Sequence, residues 1–144
     1  MDFEVHEFQG APYQSSPAGF SRSKLLAELQ GAELGWEYLA KLKEITSFSD
    51  DVIAEWLSMN VKTFRAYKQP HTALKPNLRE HALMLLRIFN HGAEVFGSHQ
   101  AFDTWLAKPH FIFDNKPPLQ FLNTITGIQF IDDELTGMAF GHPV

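Results

Sequence analysis

The sequence of 144 residues contains no cysteine. Disulfide staples, thiolate nucleophiles and cysteine-based zinc sites are thereby excluded. Nor does it contain a run of about 18 apolar residues, the length a membrane-spanning helix needs. Its opening, "MDFEVHEFQG", is acidic and has neither the cationic nor the apolar region of a secretory leader. These absences predict a cytoplasmic protein without a membrane partner. Period-2 alternation between turn signals is missing, which argues against strands. Gly-rich phosphate loops, serine-nucleophile motifs and H-E-x-x-H are also missing. Seven histidines are present, but His81 and His91 are too far apart in helical phase to share a face. The expectation is a non-enzymatic chain with no catalytic residue, no cofactor and no bound metal.

What is present suits a packed globular protein. Hydrophobic residues make up 44% of the chain, enough for one domain with a proper core or two small units sharing one. The net charge is -5, yet the charge is unevenly spread. Residues 1–60 hold ten acids and four bases, residues 61–91 hold six bases and one acid, and residues 92–144 hold six acids and two bases. Only the middle segment can approach phosphates without repulsion, because steering follows local potential rather than the total.

Helical periodicity runs through most of the chain, so the fold class is predicted as all-α. Residues 1–22 hold Gly10, Pro12, Pro17 and Gly19 and read as a flexible N-terminal arm, although four aromatics, Phe3, Phe8, Tyr13 and Phe20, suggest a docked one. Ser23 can cap "KLLAELQ", and "LGWEYLAKLKEI" carries the stripe Trp36, Leu39, Leu42. Ser49 and Asn60 are placed as N-caps of two short helices. Asn77 is placed as the cap of a long helix, Leu78 to Phe96, whose apolar face is broad enough to be central to the core or shared with a second subunit. Gly97 fits its C-cap and Ser98 the next N-cap. "PHFIFDNKPP" reads as a loop. "PLQFLNTITG" reads as a helix that ends at Gly127, and "IQFIDDELTGM" as a last short helix.

The stretch "IAEWLSMNVKTFRAYKQ" fits a helix-turn-helix. Ile53, Ala54, Leu57, Met59, Val61, Phe64 and Tyr67 occupy the positions that such a pair buries. Ser58 stands at the turn, where glycine is usual. Lys62, Thr63, Arg65, Ala66, Lys68 and Gln69 are left to face a DNA major groove. Arginine pairs with guanine edges, glutamine with adenine, and lysine neutralises phosphate. Asp50, Asp51 and Glu55 of the first helix should then turn away from the nucleic acid. The alternative is a tight helical hairpin with a solvated basic face.

The second half shows three short apolar faces: Phe102 with Trp105 and Leu106, Phe121 with Leu122 and Ile125, and Ile131 with Leu135 and Met138. None can bury itself alone, so they should pack together. The consecutive acids Asp132, Asp133 and Glu134 point in different directions on a helix, which suits a solvated or partner-facing surface better than a metal cluster.

These residues also carry a resemblance. The order Trp105-Leu106, Pro109, Pro118, Phe121-Leu122, Thr124, Gly127, Ile131, Leu135 and Gly141 resembles the toxin-binding domain of the Xre/MbcA/ParS antitoxins. "VKTFRAYKQ" lies where that family carries the recognition helix of an Xre-like helix-turn-helix. The resemblance implies an Xre-like bundle over residues 23–97 followed by a small helical toxin-binding domain over residues 98–144. It implies an antitoxin that covers the active site of a RES-type toxin, one that consumes NAD or modifies a target with it. It also implies a homodimer that represses its own operon by binding operator double-stranded DNA. Toxin contacts are expected from Asp132, Asp133, Glu134, Gly137, Met138, Phe140, Gly141, His142, Pro143 and Val144. Gly137 stands where the family commonly has arginine, so the neighbouring acids or the terminal "FGHPV" must serve instead. The alternative reading is a stand-alone helix-turn-helix regulator with no toxin partner.

Overall fold

The computed structural model describes residues 35–69 and 73–141, with Arg22, Ser23 and Leu26 before them. Ser23, expected as a cap, is itself helical, and the rest of "KLLAELQ" and the N-terminal arm lie outside the described residues. Six α-helices follow: α1 Trp36–Ile45, α2 Asp50–Trp56, α3 Val61–Ala66, α4 Pro76–Phe96, α5 His99–Leu106 and α6 Ile125–Ala139. Two 3-10 turns, Phe111–Phe113 and Pro118–Phe121, lie between α5 and α6. No strand is present among the described residues, so the all-α expectation holds.

The helix starts follow local chemistry. Ser49 Oγ accepts from Val52 N–H at 3.3 Å, Asn60 Oδ1 from Thr63 N–H at 2.8 Å and Ser98 Oγ from Ala101 N–H at 3.0 Å. Each satisfies one of the donors that a helix leaves unpaired at its start. Asn77 does not cap α4. The helix begins two residues earlier, because Pro76 is preset for the first helical position and has no N–H to satisfy. Asn77 Oδ1 instead accepts from Leu78 N–H within the first turn, at 2.9 Å.

The turn between α2 and α3 explains why glycine is usual there. Ser58 has φ 59°, the left-handed region. Its N–H donates to the Glu55 carbonyl, and Met59 N–H donates to the Ala54 carbonyl. Those paired bonds form a Schellman motif, which closes α2 and sends the chain sharply into α3. A side chain in this conformation costs roughly 1–2 kcal/mol. Ser58→Gly should therefore stabilise the protein by about 0.5–1 kcal/mol, once the extra freedom of an unfolded glycine is offset. A thermal melt read by circular dichroism checks this; an unchanged or lower midpoint would refute it.

At the centre lies α4, 21 residues long. It packs against α1, α5 and α6. Ala82, Leu83, Leu85, Leu86, Ile88 and Phe89 are all buried within this one chain. Of the two roles open to its broad apolar face, the core of this protein uses it. Gly92 lets α5 come close: a β-carbon there would lie 2.3 Å from the Phe102 ring. Aromatic contacts then run on from Phe48 through Trp56, Phe89, Phe102 and Trp105 to Phe113 and Phe130. Asp103 of α5 adds a polar clasp, accepting from the N–H and hydroxyl of Ser47 at 2.8 and 2.9 Å. Burial raises its carboxyl above the ordinary range, against the lowering effect of those two bonds.

The last helix differs from expectation. Gly127 does not end a helix; it sits in the first turn of α6, where its N–H donates to Thr124 Oγ1 at 2.9 Å. The stretch "PLQF" is a 3-10 turn, and "ITG" joins "IQFIDDELTGM" in one helix of 15 residues. The proline signal is real but serves a shorter element.

Candidate functional site

Two surfaces hold the residues singled out from the sequence. On α3 and just beyond it, Lys62, Thr63, Arg65, Ala66, Lys68 and Gln69 are all exposed, while Phe64 is fully buried and Val61 and Tyr67 are half-buried. Burying Phe64 fixes the helix's rotation, so the polar set is turned outward as a group.

The electrostatics of this face hold a surprise. Asp50, the first residue of α2, was expected to turn away. Its side chain is only 12% exposed and lies among the cations. Asp50 Oδ2 accepts from Arg65 Nε at 3.1 Å and from Lys68 Nζ at 3.2 Å, and Oδ1 pairs with Lys43 Nζ of α1 at 3.2 Å. Burial alone would raise this carboxyl, but the three cations outweigh it and hold it at about 2, below the ordinary 3.8. Asp51 and Glu55 do face solvent. Lys68 Nζ also lies 5.8 Å above the Phe64 ring. Local sequence spacing could not reveal this hub, because Asp50 reaches its partners 15 and 18 residues along the chain.

The second surface is built by α6 and the loop before it. Asp132 turns toward α4. Its Oδ1 is 2.6 Å from His91 Nδ1, and its Oδ2 is 3.9 Å from Arg87. It is engaged within the chain, unlike Asp133, which is exposed, and Glu134, which is half-buried. Gly137 is half-buried, and Met138 is partly buried against the core. Phe140 is 82% exposed, and Gly141 follows with φ 101°. His142, Pro143 and Val144 lie outside the described residues.

Residues missed by sequence reasoning stand on the loop 110–116. Phe111 is 88% exposed and Ile112 50% exposed, whereas their neighbour Phe113 is buried. The loop is firmly built. His110 and Lys116 pair across its base, where His110 N–H donates to the Lys116 carbonyl. Asn115 N–H donates to the His110 carbonyl, and Lys116 N–H to the Phe113 carbonyl. Asp114 and Asn115 adopt left-handed φ values of 62° and 61°, which the short polar side chains of Asp and Asn tolerate. The His110 ring stacks on Trp105 at 4.9 Å and donates through Nε2 to its carbonyl at 2.8 Å. Three consecutive apolar residues in a loop were the available signal, since a loop of that length rarely buries them all.

The other chemistry of these surfaces is structural. His81 Nε2–H donates to the Leu122 carbonyl at 2.9 Å, tying α4 to the turn before α6. Among the described residues, no three His, Asp or Glu side chains are grouped to hold a metal ion. None of the described helices is long and apolar enough to cross a membrane.

Comparison with curated proteins gives no match. Residues 91–141, from the last turns of α4 through α5, the Phe111–Ile112 loop and α6, match the family model described as the antitoxin Xre/MbcA/ParS C-terminal toxin-binding domain.

Proposed function

We propose that this chain is the antitoxin of a two-component module, with two tasks. Its C-terminal part covers the active-site cleft of a RES-type, NAD-consuming toxin. Its α2–α3 pair enters the major groove of operator DNA and represses the operon, with two copies bound to a symmetric site. The observation that carries the reading is a match to a toxin-binding domain joined, through the Trp56–Phe89 contact with α4, to a sharply turned helix pair on which Lys62, Thr63, Arg65, Ala66, Lys68 and Gln69 are exposed. On that pair, Lys62 and Lys68 neutralise phosphates, and Arg65 and Gln69 reach base edges. The domain match supports a toxin partner; the class of toxin and the DNA are supported by the resemblance and by the chemistry of α3.

The test uses the full chain. Titrated into the toxin encoded beside it, the protein should halt NAD loss at a fixed stoichiometry; undiminished NAD consumption in a stable mixture would refute the first task. Arg65→Ala with Lys68→Ala should weaken binding to the DNA upstream of the gene about tenfold or more while leaving neutralisation intact. Equal loss of both activities, or of neither, would remove α3 from the DNA task.

A further inference from the structure

Four of the five large apolar residues exposed on the described chain, Phe111, Ile112, Phe130 and Phe140, fall within the matched residues 91–141. Three of them are linked through one buried ring, Phe113. Phe113 anchors the loop that carries Phe111 and Ile112, and its ring meets Phe130 of α6 edge-on at 5.2 Å. The loop thus holds Phe111 and Ile112 outward as an apolar prominence whose root is tied to α6 through Phe113. Two adjacent large apolar side chains held outward on an ordered loop, Phe111 at 88% and Ile112 at 50% exposure, make an exposed apolar patch, the kind of feature that marks an interaction site.

We infer that Phe111 and Ile112 form the apolar anchor of the toxin interface, inserting as a preformed knob into an apolar pocket of the toxin. The inference rests on the toxin-binding reading of residues 91–141 and names the contact within it. Three observations favour the toxin over other occupants. The knob lies inside the matched domain, whereas the apolar face of α4, the other candidate for contact between copies, is consumed by this chain's own core. The loop is held by Phe113 at its root and by hydrogen bonds at its base, so little conformational entropy is lost on insertion. The surroundings are acidic: from Phe111 to Gly141 there are four acids, Asp114, Asp132, Asp133 and Glu134, against one base, Lys116. Asp133 lies one turn from Phe130 on α6 and is exposed, so the pocket that receives the knob should carry a basic rim.

The test measures binding of the full chain to the toxin encoded beside it, purified with an inactivating active-site substitution, by calorimetry. The variant is Phe111→Ala with Ile112→Ala, and Gln120→Ala, an exposed change outside the prominence, is the control. Both side chains of the variant are exposed, so the melting temperature should stay within about 2 °C of the parent. Binding should weaken about thirtyfold or more, as expected when an aromatic anchor is truncated. Phe111→Leu should recover part of the loss. If the parent chain itself does not bind this toxin, the toxin-binding reading fails and the inference falls with it. If the parent binds and the double variant binds within about threefold of it, the anchor alone is refuted. Light scattering gives the remaining arm: a parent dimer that becomes monomeric in the double variant, with toxin affinity unchanged, would make the prominence a contact between copies and overturn the proposal.

Discussion

Replacing Gly127 by alanine is expected to destabilise the protein by about 3 kcal/mol or more, a drop in melting temperature near 10 °C for a chain of this size. The cause is geometric. A β-carbon at this position would lie 1.9 Å from the Phe121 carbonyl oxygen and 2.9 Å from its carbon. Those are backbone atoms held by the 3-10 turn Pro118–Phe121, so no side-chain rotation relieves the clash. The turn and the start of α6 must separate, and Ile128 and Ile131, both fully buried, would be drawn out of register. Gly92→Ala serves as a comparison: its β-carbon would meet the buried Phe102 ring, a side chain that can shift only by disturbing its own neighbours. A Gly127→Ala protein that melts within a few degrees of the parent would show that the turn can yield.

The second large effect is expected at Asp50. Asp50→Asn removes the charge that holds Arg65, Lys68 and Lys43 while nearly preserving shape. With Arg65 and Lys68 released, affinity for a random-sequence duplex should rise about tenfold at low salt, and the slope of log affinity against log salt should steepen by about 1–2. Stability should move the other way. The folded carboxyl sits at about 2 against an ordinary 3.8, so its ion pairs contribute stability above pH 3.8 that is lost as pH falls toward 2. With the cations partly solvated, that contribution is about 1–2 kcal/mol at neutral pH, and the variant should lack it together with its pH dependence. Fluorescence anisotropy across a salt series and melts at neutral and acidic pH read both halves. Unchanged DNA affinity in a folded variant would mean that Asp50 does not restrain the α3 cations, and would weaken the case that they meet phosphate at all.

Much of the fold was legible because it is decided by neighbours in the chain. Ser49, Asn60 and Ser98 cap the helices they precede, and Gly97 ends α4 with φ 95°. Ser58 marked the sharp turn because its place calls for a left-handed residue. The misreadings share one origin. Gly127 looked like a helix end by the usual asymmetry, but it is glycine because a carbonyl from the preceding turn crowds it. Asn77 looked like a cap, but Pro76 had already started the helix. The three-cation hub at Asp50, the turn of Asp132 toward His91 and Arg87, and the Ser47–Asp103 clasp join residues 7 to 56 apart in sequence. No periodicity encodes which acid meets which base at such separations. Exposure of the Phe111–Ile112 tip was equally hidden, since in "FIF" only the third residue goes inward and the sequence alone gives each the same preference.

The aromatic contacts between α4 and α5 bear on any attempt to dissect the molecule. A cut at Gly97 would put Phe89 and Phe96 on one fragment and their partners Phe102 and Trp105 on the other. Each piece would carry a greasy wound where the other had been, and neither could close it alone. Deletion fragments would therefore report on aggregation rather than on division of labour. Only point substitutions in the intact chain can separate what its two ends do.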